Sequence, residues 1–65
     1  MTKQVARETL KNQKELKGHE IFNIQTYEGI NTIDFTSCKG NKCYYGLYDD
    51  DGLSLEYAGK RSELQ

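Results

Sequence analysis

This 65-residue chain has no stretch approaching the ~20 consecutive apolar residues that cross a bilayer as a helix. Its start, Met1-Thr2-Lys3-Gln4, runs into a charged segment without an apolar core. No secretory signal is read there, so the expected location is cytoplasmic, with no membrane partner. Two cysteines are too few for a disulfide-built secreted scaffold. There is one histidine, and its pairing with Cys38 or Cys43 resembles a catalytic dyad only in composition. No third group and no oxyanion site accompany it. A Gly-rich phosphate loop is missing as well. A chain this short leaves little room for an enzyme-sized pocket. Binding without catalysis, and without a cofactor, is the expectation.

What the chain does contain is polar but foldable. Hydrophobic residues make up 35% and charged residues 29%. Five Tyr and two Phe argue against disorder. A single domain this small buries only about 60% of its unfolded surface. The net charge of −1 is unevenly spread. Residues 1–18 hold Lys3, Arg7, Lys11, Lys14 and Lys17 against Glu8 and Glu15, a surplus of +3. Residues 19–65 hold four basic and eight acidic side chains, a surplus of −4. The break falls at Gly18.

On either side of Gly18 the periodicity differs. Residues 3–17 lack Gly and Pro and are rich in helix formers, which predicts a helix capped by Thr2 and ended by Gly18. Its apolar stripe is thin: Val5, Thr9 and Leu16 align, with Ala6 and Leu10 on the shoulder. Beyond Gly18 three turn pairs recur every 11 residues, Gly29-Ile30, Gly40-Asn41 and Asp51-Gly52. Glycine first suits a type II′ turn and Asp-Gly a type I′ turn. The predicted fold is therefore α+β, an N-terminal helix (1–18) and a four-stranded antiparallel β-meander (19–60), followed by a frayed tail (61–65).

These turns imply a register. One row runs through Ile24, Phe35, Gly46 and Tyr57. Its same-face neighbours are Thr26, Ile33, Tyr48, Leu55 and Phe22, Ser37, Tyr44, Gly59. That face is dominated by aliphatic and aromatic residues and is the predicted core, with Gly46 leaving room for Phe35 and Tyr57. The other face carries Gln25, Asp34, Leu47, Glu56; Asn23, Thr36, Tyr45, Ala58; and Tyr27, Thr32, Asp49, Ser54. A one-residue slip in any strand would exchange its two faces.

Several groups could carry chemistry. Cys38 and Cys43 oppose each other across the second turn at a spacing that permits a disulfide. In a reducing cytosol two reduced, partly buried thiols are expected instead. The register sets His19 at the same end and on the same face, which makes His19, Cys38 and Cys43 weak metal candidates lacking a fourth ligand. Asp49-Asp50-Asp51 lacks the ligand spacing of a calcium loop and reads as a hairpin turn, with an acidic patch for a basic partner as a weaker reading. Lys3, Arg7, Lys11, Lys14 and Lys17 cluster within about one third of the helix circumference. They read as a solvated face or as a phosphate-tracking stripe.

The function expected is that of a small regulator or inhibitor of another protein, of the accessory kind carried by phages and mobile elements. It would act through the exposed sheet face, at Tyr27, Asp34, Tyr45, Leu47, Asp49 and Glu56, or through a strand edge. Nucleic-acid binding through the basic helix is the alternative, and a Cys/His metal-stabilised domain the second. Three large apolar helix residues are a thin lid for the predicted core face. A homodimer covering the remainder is therefore expected.

Overall fold

A computed structural model describes residues 1–63. Helix α1 spans Lys3–Lys11, and Thr2 caps it by accepting from the Val5 N–H at 3.2 Å. Four antiparallel strands follow in the order β1-β2-β3-β4. They are β1 (Glu20–Thr26), β2 (Ile33–Lys39), β3 (Lys42–Asp49) and β4 (Gly52–Lys60). The α+β meander expected from the sequence is the fold. Among the described residues no helix is long and apolar enough to cross a membrane.

The helix is shorter than its propensities suggest. It ends at Asn12, and a 3-10 turn (Lys14–Leu16) carries the chain to Gly18, which has φ 82°. Burial explains the break. Ala6 and Leu10 sit one helical turn apart and are both fully buried, whereas Val5 is 50% exposed. An unbroken helix would carry Leu16 far round from the Ala6–Leu10 stripe. Leaving the helical path after Asn12 lets Leu16 join the same core, where it is 3% exposed. Thr9 turns its hydroxyl back to the Val5 carbonyl instead of facing the sheet.

The β2–β3 hairpin has the expected register, from Ile33 opposite Tyr48 to Lys39 opposite Lys42. Gly40 opens its turn at φ 62° and Asn41 has no positive φ, as a type II′ turn requires. Gly46 faces Phe35, whose ring fills the space a side chain would occupy.

The outer hairpins differ from expectation in three ways. First, β1 carries a bulge. Gln25 and Thr26 face Asp34 and Ile33, but Phe22, Ile21 and Glu20 face Thr36, Ser37 and Cys38. Asn23 takes up the extra residue at φ 54°, a conformation Asn tolerates better than most residues. The slip exchanges faces upstream of it, so Ile21 is in the core and Phe22 is not. The loop after β1 is also longer than a two-residue turn, running over residues 27–32.

Second, the last turn lies at Asp50-Asp51, between Asp49 and Gly52. The Asp49 carboxylate accepts from the Asp51 N–H at 2.9 Å and builds the turn from its own side chain. Neither Asp50 nor Asp51 has positive φ, so the type I′ turn expected of Asp-Gly does not form. The shift moves β4 by two residues. Leu55 therefore faces Gly46, and Tyr57 faces Tyr44. A second bulge follows between Tyr57 and Gly59, and Gly59 adopts φ 127° there.

Third, residues 61–63 are ordered as a 3-10 turn (Arg61–Glu63). The Arg61 N–H donates to the Asn41 carbonyl at 2.9 Å, and Glu63 accepts from the Lys60 N–H. The rest of the predicted frayed tail, 64–65, lies outside the described residues.

The core is Ala6, Leu10, Leu16, Ile21, Ile24, Ile33 and Phe35, with Tyr48 and Leu53 packed against it. Helix α1 packs on β1, at one side of the sheet. Leu55 and Tyr57 lie on the same face as the core but remain 37% and 56% exposed.

Candidate functional site

The face away from the helix is organised in three rows. Gln25, Asp34, Leu47 and Ser54 form one, Phe22, Thr36, Tyr45 and Glu56 the next, and Glu20, Cys38, Cys43 and Gly59 the third. The cysteine row is closed. Cys38 and Cys43 are joined in a disulfide and are 3% and 0% exposed, so the expected reduced thiols are not what the fold contains. Glu20 at one end of that row pairs with Arg61 at 2.7 Å, which ties the C-terminal turn across it.

The β1 bulge also separates the proposed metal ligands. It sends Glu20 to the cysteine face and leaves His19 on the helix face, hydrogen-bonded through Nδ1 to Ser37 at 3.1 Å and tilted against the Tyr44 ring at 5.7 Å. The two cysteines bind each other on the opposite side, so these three residues do not converge on an ion. Burial, aided by the Lys39 charge, pushes the His19 pKa below its ordinary value. Ser37 is fully buried, so its hydroxyl is closed to substrate and serves to satisfy the histidine.

The remaining two rows form an open surface. Tyr45 is 54% exposed and Leu47, beside it, 36%. Asp34, Tyr45, Leu47, Ser54 and Glu56 line a shallow groove over β2, β3 and β4. Tyr27 rises from the β1–β2 loop and donates its hydroxyl to the Asp34 carboxylate. That carboxylate raises the Tyr27 pKa, which keeps the hydroxyl a donor. Of the six residues singled out in sequence, Asp34, Tyr45, Leu47 and Glu56 share the groove, and Tyr27 is linked to it. Asp49 instead buttresses the last turn. Sequence reasoning missed Phe22, which the bulge brings to this face beside Thr36. An Asn in mid-strand, tolerant of positive φ, was the available signal.

The basic residues do not make one stripe. Arg7 is drawn inward, its Nη1 donating to the Ile21 carbonyl at 2.7 Å. Because α1 ends at Lys11, helical spacing no longer aligns Lys14 and Lys17 with Lys3 and Lys11. No protein-family model matches the chain, and neither a curated protein nor a solved structure is found to be similar to it.

Proposed function

We propose that the protein is a non-enzymatic binding factor that regulates or inhibits another protein through the outer sheet face centred on Tyr45 and Leu47. The observation that carries this reading is the exposure of these two residues side by side on β3, an interior strand. A large aromatic with a polar tip beside an aliphatic side chain is the composition of an interface hot spot. The acids around them, Asp34 and Glu56, supply a polar rim. They favour a partner with basic groups and disfavour a phosphate backbone. The shielded disulfide supports an oxidising compartment over the cytoplasm expected from the sequence.

Capture of partners from a lysate of the source cells tests this. The wild-type chain should retain a protein that Tyr45→Ala and Leu47→Ala lose. Ile30→Ala, at the 58% exposed tip of the β1–β2 loop, should retain it. Retention by the Tyr45→Ala/Leu47→Ala double variant contradicts the reading. DNA binding that collapses between about 50 and 200 mM salt would instead favour the basic N-terminal segment.

A further inference from the structure

Among the described residues, strand β4 is an unpaired edge of the sheet. It is nine residues long and carries exposed Leu55 and Tyr57 on the side that α1 leaves bare. It has no proline, and Glu56 is the lone charge between Gly52 and Gly59. Such an edge is a template for another strand.

The register shows which backbone groups are free. Cys38 and Cys43 have Cα atoms 4.0 Å apart, the spacing of a non-hydrogen-bonded pair. The Cys43 N–H and C=O therefore point to β4. Alternation along β3 then directs Tyr45, Leu47 and Asp49 to bond β4 at Glu56, Ser54 and Gly52. The two-residue turn between Asp49 and Gly52 requires the same phase. Leu53, Leu55 and Tyr57 are left with their N–H and C=O groups facing outward along the edge. Their side chains all lie on the helix-side face.

We propose that β4 pairs antiparallel with β4 of a second copy about a twofold axis at Leu55, giving one continuous eight-stranded sheet. Leu55 then faces the partner's Leu55, and Leu53 faces the partner's Tyr57, so the bare apolar half-faces extend each other. On the outer face Glu56 meets the partner's Ser54.

Charge selects a second copy, and this register of it. One end of β4 is the exposed acidic turn Asp50-Asp51, and the other end is exposed Lys60. Antiparallel self-pairing about Leu55 sets Lys60 beside the partner's Asp50-Asp51 turn, twice by symmetry. An axis at Glu56 would set that residue against the partner's Glu56, and like charges directly opposite are destabilising. An axis at Tyr57 would set Lys60 against the partner's Ser54 and Leu55 against the partner's Gly59, which loses both matches. The dimer uses a different surface from the outer-face reading and does not depend on it. It would set two Tyr45–Leu47 patches side by side.

Single-cysteine variants of the full chain, mildly oxidised with the buried native disulfide intact, test the register. Leu55→Cys should cross-link to itself as a dimer, because bonded pairs lie ~5.5 Å apart at Cα. Glu56→Cys should not, because the two residues become diagonal neighbours ~7–8 Å apart, at or beyond disulfide reach. Sedimentation should give a dimer whose melting temperature rises with protein concentration. Leu55→Glu should be monomeric with an unchanged circular dichroism spectrum. A wild-type chain monomeric at every soluble concentration overturns the proposal, as does cross-linking of Glu56→Cys in preference to Leu55→Cys. A monomer that still captures a protein through Tyr45 overturns the dimer alone.

Discussion

Replacing Gly46 by alanine adds one methyl group, and the fold has no place for it. A Cβ built on Gly46 lies within 2.5 Å of Cζ, Cε1 and Cε2 of Phe35. Real Cβ atoms essentially never come within 3.0 Å of another heavy atom, so the ring would have to move. The Phe35 ring is 3% exposed and sits in the centre of the core, so it has nowhere to swing. Gly46 does not have a positive φ, so the backbone itself accepts alanine. The whole cost is therefore the clash. Overpacking of this kind costs about 1–3 kcal/mol, against a total stability of about 3–10 kcal/mol for a domain of this size. The sign should reverse once the ring is gone. In a Phe35→Leu background the methyl meets no ring, and alanine is the better strand residue by about 0.5–1 kcal/mol. Urea denaturation of the four proteins in this cycle measures the coupling. Losses that simply add would refute the packing of Phe35 over Gly46.

Other consequences are simpler. Ile21→Ala should cost about 2–5 kcal/mol and Phe22→Ala less, because the β1 bulge buries Ile21 at 5% exposure and turns Phe22 to the outer face. The reverse order in chemical denaturation would remove the bulge. Asn23→Gly should stabilise by up to about 1 kcal/mol and Asn23→Val destabilise by about 1–2 kcal/mol, since Asn23 holds φ 54°. Thermal melts of both variants check this. The lowered pKa of His19 means that the unfolded chain takes up its proton first. Stability from this residue is therefore fully present above the ordinary value of 6.5 and is lost as the pH falls below it. His19→Gln should flatten the pH dependence of the melting temperature across that range.

Much of this architecture can be read from spacing alone. Gly40-Asn41 fixes the central hairpin, and the alternation around it puts Ile33 and Phe35 on one face and Asp34, Tyr45 and Leu47 on the other. What spacing does not reveal is the extra residue. One at Asn23 exchanges the faces of Ile21 and Phe22 and parts His19 from the cysteines. Another before Gly59 shifts the register at the end of β4. Strand-interior Gly and Asn are the residues able to take up such insertions, but they mark where a bulge can form, not that it does. The last turn departs from the Asp-Gly signal because Asp49 builds it with its own side chain, which competes with the backbone preference of Asp-Gly. The helix stops short of its propensity for a related reason. Propensity favours residues 3–17 throughout, but burying Ala6, Leu10 and Leu16 together needs a break, and packing decides. The outer-face row of Asp34, Tyr45 and Leu47 is legible because it needs only alternation around the Gly40-Asn41 turn.

The claim that the outer face binds a partner is tested most directly by titrating the isotope-labelled chain with a captured partner and following its amide resonances. Perturbations should concentrate on Asp34, Thr36, Tyr45, Leu47, Ser54 and Glu56, with residues 3–17 unchanged. Perturbations confined to residues 3–17, with the outer face silent, would contradict it.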